Sequence, residues 1–118
     1  MESALKLEER RADKAIVLAP TGRIDLSTAD QFRDSLLPLV ASAAASGSAV
    51  VLDFSAVDYI SSQGLRMLML AAKQANTSGT SVVVASLQPL VREIFQISRF
   101  DKLLPCHPGM AEALATLK

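Results

Sequence analysis

Three short runs rich in β-branched residues constrain the fold of this 118-residue chain most strongly. They are AIVLA at 15–19, AVVLDF at 49–54 and SVVVA at 81–85, and segments of helical periodicity lie between them. Apolar runs of this kind, alternating with helices of about 10–15 residues, are typical of buried parallel strands. The order of segments predicts an α/β fold with a mixed, mostly parallel sheet of four or five strands, in the order β β α β α β α (β) α.

Local signals indicate where several elements begin and end. Leucines that alternate with charged residues near the N-terminus predict a first hairpin with a turn at 13–14. Residues 27–30, STAD, resemble a helix capping box, and Pro38 should kink or restart the helix behind it. A weak strand is expected at 102–104, before a final helix.

Composition excludes several classes of function. Lys and Arg together number 12, as do Asp and Glu, and only 4% of the residues are aromatic, so nothing favours a nucleic-acid partner. No apolar stretch approaches the roughly 20 residues of a membrane span, and the N-terminus lacks the apolar run of a secretory signal. The chain is therefore expected to be cytoplasmic, with no membrane and no nucleic acid as a partner.

The reactive side chains argue against catalysis. His107 is the only histidine, and no G-x-S-x-G elbow surrounds Ser61 or Ser62, so a hydrolase would lack a positioned base. Cys106 and His107 are adjacent, and two ligands do not close a zinc site. A single cysteine also suits a reducing cytosol. We expect no enzyme activity, no cofactor and no metal, with Cys106 and His107 in a loop.

The junction at 53–75, DFSAVDYISSQGLRMLMLAAKQA, carries the strongest functional signal. A strand ends at Asp53, a loop should bring Val57 and Ile60 into the core, and a helix begins at 61–64. A serine in the first helical turn lies beside free backbone N–H groups and the positive end of the helix dipole, which together stabilise a phosphate. Such a serine is also commonly a simple helix cap, worth about 1 kcal/mol.

The helix behind this junction should have an inward face and an outward face. The inward face is predicted to contain Leu65, Leu68, Met69 and Ala72. Met67 and Leu70 would then be apolar residues away from the core, and exposed apolar residues flanked by polar groups often mark a partner site. The alternative is a helix that is buried on two sides, and the sequence does not decide between the two.

Nearly the whole chain resembles the STAS domain family, especially the bacterial anti-sigma factor antagonists. The resemblance rests on TGRIDLSTA at 21–29, VVLDFSAVDYISSQGL at 50–65 and SVVVASLQPLVREIFQISRFDKLLP at 81–105, in this order, and on the closing helix. It implies one STAS-type domain over residues 1–118, which acts as a monomeric binding protein and not as an enzyme.

The resemblance also implies roles for individual residues. The family has a block Asp-Ser-Ser/Thr-Gly whose first hydroxyl residue is phosphorylated, and alignment on Gly64 makes this residue Ser62. Ser61 stands where the family has Asp, and it is the second choice for the modified serine. The residues themselves favour Ser61 as the helix cap and Ser62 as the exposed serine. Asp25 is implied to approach Ser62 and to support it together with Ser61 and Gly64; alternatively, it is a loop carboxylate before a helix. The expected docking surface contains Gln63, Leu65, Arg66, Met67 and Leu70.

The function that the resemblance implies is partner switching. The unphosphorylated protein would bind an anti-sigma factor that is also a serine kinase of the GHKL ATPase type, and so release a sigma factor. Phosphorylation of Ser62 would end this binding, and a PP2C-type phosphatase would restore it. STAS domains also serve as accessory subunits of membrane lipid transporters and in partner switches with other outputs, such as secretion. The sequence does not separate these alternatives.

Overall fold

The computed structural model describes residues 5–12 and 14–117, and its centre is a sheet of six strands. The strands are β1 Lys6–Ala12, β2 Ala15–Ile24, β3 Ala49–Asp53, β4 Ala56–Ile60, β5 Val82–Ala85 and β6 Cys106–His107. The helices are α1 Ala29–Ser46, α2 Ser62–Ser78, α3 Pro89–Ile97 and α4 Met110–Ala115, with a 3₁₀ turn at Phe100–Lys102. Asp13, half of the predicted first turn, lies outside the described residues.

The sheet is mixed and mostly parallel, which confirms the predicted fold class, although it has six strands and not the four or five predicted. β1 and β2 form the antiparallel hairpin, and β2, β3, β5 and β6 follow in parallel order. The first part of β2, Ala15–Leu18, pairs with β3, and its last part, Thr21–Ile24, pairs with β4. One long strand therefore has two parallel partners on its inner side, one after the other.

β4 corrects the prediction that a loop follows β3. Val57 and Ile60 are buried as expected, but the segment that contains them is a strand. It pairs with the last part of β2, which extends beyond β3 and has no other parallel partner there. Because unpaired strand edges leave backbone N–H and C=O groups without partners, this pairing gives the backbone groups at the end of β2 their hydrogen-bond partners.

The chain after α3 also differs from the prediction. The expected strand at 102–104 is wrong, since Phe100–Lys102 form the 3₁₀ turn. Cys106 and His107, expected in a loop, form β6 instead and pair with Val84 and Ala85 of β5. This short strand covers the edge of β5, whose four residues are all buried.

Helices cover the two faces of the sheet unequally. Alternate strand residues point to opposite faces, and the larger core contains buried residues of α1, α2 and α3. α4 covers a smaller cluster on the other face. Phe32, Phe54, Phe95 and Phe100 form a chain of edge-to-face contacts in the larger core, with ring centroids 6.4, 6.3 and 6.1 Å apart in turn.

α1 is one continuous helix across Pro38, so the predicted restart is wrong, and the predicted kink stays a prediction. Pro38 removes one hydrogen bond of the helix. Buried residues lie on both sides of it, Leu36 before and Leu39 and Val40 after, and their packing stabilises the helix before and after the proline. Within the part of the chain that the structure describes, no helix combines the length and the apolar character needed to cross a bilayer.

Candidate functional site

The ends of β2 and β4 bring two distant segments of the sequence together. Ile24 and Ile60 are paired in register, and the N–H of Ser61 donates to the carbonyl oxygen of Ile24 at 2.8 Å. The loop that begins at Asp25 therefore lies beside the N-terminus of α2. This is the edge where strands end and helices begin, at which open α/β sheets usually place their functional residues.

The two adjacent serines have different roles at the start of α2. Ser61 is the N-cap in an extended conformation, and its Oγ accepts a hydrogen bond from the N–H of Gly64 at 3.2 Å. Ser62 is the first residue of the helix, and it is exposed. The prediction that Ser61 is the cap and that Ser62 is the exposed serine is confirmed.

Gly64 allows α2 to begin close against the sheet. A Cβ at this position would lie 2.7 Å from Cγ2 of Ile24, 2.7 Å from Cγ1 of Ile60 and 3.1 Å from the carbonyl oxygen of Ile24. The two shortest distances are below any ordinary van der Waals contact. The glycine is therefore required by packing, and it determines how closely the helix carrying Ser62 approaches β2 and β4.

The carboxylate of Asp25 is held by its own loop. Its Oδ1 accepts hydrogen bonds from the Ser27 hydroxyl at 2.8 Å and the Ser27 N–H at 3.0 Å, and its Oδ2 lies 3.5 Å from Nε of Arg23. The bond from the Ser27 hydroxyl is the main reason why the pKa of Asp25 lies below its ordinary value, and partial burial opposes this. Across the described residues, Asp25 makes no hydrogen bond to Ser62.

Thr28 holds the same loop and corrects the predicted capping box. It occupies the N-cap position of α1, but its side chain makes no capping bond to the helix. Its Oγ1 instead accepts from the N–H of Asp25 at 2.9 Å and donates to the carbonyl of Arg23 at 2.8 Å. Thr28 is 3% exposed, so these bonds lie in the interior and stabilise the loop backbone.

The sequence missed two exposed groups next to this loop. Leu26, between Asp25 and Ser27, is 75% exposed, which is unusual for a large apolar side chain. The guanidinium of Arg23 lies over the ring of Tyr59, 4.4 Å from its centroid. The register between β2 and β4 pairs Arg23 with Tyr59, and the sequence did not predict this contact because it did not predict β4.

The outward face of α2 differs from the predicted one at two methionines. Met67, expected in the docking surface although the sequence left its exposure open, is 5% exposed, and Met69, predicted to face inward, is 42% exposed. Leu65 is buried as part of the inward face, so it is not available to a partner. α2 packs against α1 as well as the sheet, and Nε2 of Gln74 donates to the carbonyl of Leu37 of α1 at 3.3 Å. The flank that contains Met67 is therefore covered.

The exposed side of α2 still combines apolar and charged residues. Leu70, whose exposure the sequence left open, is 40% exposed, Arg66 is exposed, and Gln63 is partly exposed. At 100° per residue, Ser62, Arg66 and Met69 lie on one side of the helix, with Leu70 at its margin. The surface begins at the exposed serine and continues along the helix.

A second region with titratable groups lies between α3 and β6. An open cavity of about 520 Å³ there is lined in part by Cys106 and His107. Burial, and secondarily the charge of Asp101, raise the pKa of the Cys106 thiol to about 11, so the thiol is protonated at neutral pH. Among the residues that the structure describes, no three His, Cys, Asp or Glu side chains are placed to hold a metal ion.

A family model described as "Mlab, STAS domain" matches residues 7–105. The chain belongs to the STAS domain family. The STAS domain is 33% identical to BtrV of Bordetella bronchiseptica, which carries the name of an anti-sigma factor antagonist, over 97% of this chain and 96% of BtrV.

Solved structures of antagonists have the same fold as this STAS domain. An anti-sigma factor antagonist from Mycobacterium paratuberculosis is 25% identical, with a TM-score of 0.78 over 97% of this chain and 94% of that one. The Bacillus antagonist SpoIIAA in its phosphorylated form is 17% identical, with a TM-score of 0.66 over 98% of this chain and 100% of that one.

The cap at Ser61 bears on the motif that the resemblance implies, which has Asp at this position. Ser and Asp are both favoured N-cap residues, because the side-chain oxygen of either accepts from an N–H in the first turn. Ser61 therefore begins α2 as an Asp would, and Ser62 occupies the first position of the helix.

Proposed function

We propose that this STAS domain is an anti-sigma factor antagonist whose binding is controlled by phosphorylation of Ser62. The unphosphorylated form binds an anti-sigma factor that is also a serine kinase of the GHKL ATPase type. Phosphorylation ends the binding, and a PP2C-type phosphatase reverses it. The observation that carries this proposal is the exposed Ser62 at the first position of α2, beside Ser61, whose hydroxyl is used as the cap. The names of the relatives support the same function.

The proposed contact surface is the exposed side of α2 together with the tip of the β2–α1 loop. It contains an apolar set and a polar set around the serine: Leu26, Met69 and Leu70, with Gln63 and Arg66. Asp25 supports Ser62 from the neighbouring loop, where Ser27 and Arg23 orient its carboxylate. Exposed apolar side chains bordered by polar groups are the usual composition of such a surface.

The effect of phosphorylation on binding follows from charge and hydration. A phosphoserine carries about −1.5 to −2 charges at pH 7 and three strongly hydrated oxygens. At the centre of an interface this group must lose water or force the partner away. A loss of roughly 3 kcal/mol of binding free energy weakens a complex about a hundredfold, which is enough for a switch.

Intact-mass analysis of the protein recovered from its native host, growing and stressed, tests the proposal. We expect a species heavier by one phosphoryl group in wild type and in Ser61→Ala, and none in Ser62→Ala. Loss of this species only in Ser61→Ala would keep the mechanism and move it to the other serine. Its absence from every sample, with phosphatases inhibited, would refute control by phosphorylation.

A binding measurement with the anti-sigma factor encoded by the same host completes the test. Ser62→Ala should bind like wild type, and Ser62→Asp should bind at least tenfold more weakly, because a carboxylate carries part of the phosphate charge. Equal binding by Ser62→Asp would contradict release by charge.

A second candidate rests on the description of the matching family model, which names Mlab beside the STAS domain. In this candidate the chain is an accessory subunit of a membrane lipid transporter and binds it constitutively. Co-purification with a membrane ATPase that Ser62→Asp leaves unchanged would favour this function. A partner switch with another output, such as secretion, would instead retain the phosphorylated species but show no binding to an anti-sigma factor.

A further inference from the structure

Arg66 is the cation of α2 that lies nearest in sequence to Ser62 on the exposed side of the helix. Arg66 follows Ser62 by one helical turn, and both residues are exposed. The ion pairs found among residues 5–12 and 14–117 involve Arg10, Arg23 and Arg33, and none involves Arg66. The guanidinium of Arg66 is therefore available to a new anionic partner.

The geometry of an α-helix directs Arg66 towards Ser62. Side chains in a helix tilt towards its N-terminus, so a long side chain covers the surface one turn before its own Cα. An anionic residue four positions before a cationic one is also the more favourable orientation of a helical ion pair. We infer that Arg66 binds the phosphate of phosphorylated Ser62 and that this ion pair is part of the switch. The inference rests on the proposed function for the presence of that phosphate.

The same geometry distinguishes Ser62 from Ser61. The residue four positions after Ser61 is Leu65, which is 8% exposed and carries no charge. The hydroxyl of Ser61 is also engaged in the cap with Gly64. A phosphate at Ser61 would have no cation at this spacing. Arg66 thus gives a physical reason for Ser62, and not Ser61, to be the modified residue.

Pairing with the phosphate changes the surface in a second way. Before modification, Arg66 can contact a carboxylate of the partner from its position beside Met69 and Leu70. After modification its guanidinium is held by the phosphate within the same helix. The contact surface then lacks a free cation and also carries a new anion, and both changes weaken binding of the partner. The other charges on the neighbouring loop, Asp25 and Arg23, are already paired with each other and remain unchanged.

The second ionisation of phosphoserine reports this ion pair directly. Phosphoserine installed at position 62 by genetic encoding is titrated by ³¹P NMR in the full chain. In Arg66→Gln the second pKa of the phosphate should rise by about 0.3 unit, because the cation that favours the dianion is missing. Lys73→Gln is the matched control: it removes an exposed cation of α2 roughly 16 Å further along the helix, beyond the screening length.

The outcomes separate the ion pair from a general effect of charge. We expect the second pKa of the phosphate in Arg66→Lys to lie close to the wild-type value. About 1 M NaCl should abolish the difference between wild type and Arg66→Gln, because salt screens an exposed ion pair. Equal second pKa values in wild type, Arg66→Gln and Lys73→Gln would overturn the inference. Because the phosphate is installed and not added by a kinase, this result is independent of whether the host phosphorylates Ser62. A negative result here would leave the proposed function standing.

Discussion

Replacement of Gly64 by alanine tests the packing on which the site depends. The new Cβ would lie 2.7 Å from atoms of Ile24 and Ile60, side chains that are 0% and 1% exposed and have no free space to move into. Overpacking in a filled core costs about 1–3 kcal/mol, and two contacts this short place the cost near 3 kcal/mol. Alanine is better than glycine in a helix by about 1 kcal/mol, so the net loss of unfolding free energy should be about 2 kcal/mol.

Urea denaturation measures this loss. With a slope of about 1–3 kcal/mol per molar urea, Gly64→Ala should lower the unfolding midpoint by about 1 M. Asn76→Ala, at an exposed position of the same helix, is the control for helix propensity and should raise stability by about 0.5 kcal/mol. If Gly64→Ala were as stable as wild type, the close approach of α2 to β2 and β4 would not be as described.

Further experiments test other parts of the structure. Met67→Ala should lower the free energy of unfolding by about 2–5 kcal/mol and Met69→Ala by less than about 0.5 kcal/mol, since only Met67 is buried; equal losses would contradict the assigned faces of α2. At pH 8, Cys106 should react with iodoacetamide about a hundredfold more slowly when folded than when unfolded, because burial and Asp101 raise its pKa from 9.0 to about 11. Equal alkylation rates in the folded and unfolded protein would indicate an accessible thiolate. The same pKa shift should reduce the free energy of unfolding as the pH rises from 9 through 11, because the unfolded chain loses the thiol proton first. Thr28→Val should destabilise the protein by about 1–3 kcal/mol in urea denaturation, because two loop backbone groups lose their partner; an unchanged midpoint would show that water replaces it.

Local signals predicted the elements whose structure depends on short-range interactions. The β-branched run at 81–85 becomes β5, which is buried at every residue, because such side chains suit a strand covered on both faces. Ser61 could be recognised as a cap because the chain needs an acceptor for the free N–H groups of the first turn. These features follow from neighbours in the sequence.

The features that the sequence did not predict depend on distant partners. β4 has only two inward apolar residues, and its strand conformation depends on the last part of β2. The positions of Met67 and Met69 depend on α1, which covers one flank of α2 and leaves the other open. Periodicity finds the apolar side of a helix, but it does not show how many neighbours pack there. Leu26 was missed because its exposure depends on the loop that Thr28 holds.

The absence of a side chain at Gly64 has a mechanical consequence for the surface. The first turn of α2 rests directly on two rigid, β-branched side chains and a backbone carbonyl, so it cannot move inward. A group added to Ser62 therefore meets a fixed support, and the backbone beneath it stays in place. A modification of Ser62 therefore alters the charge and hydration of the surface that a partner contacts, and it leaves the backbone conformation of the first turn of α2 unchanged.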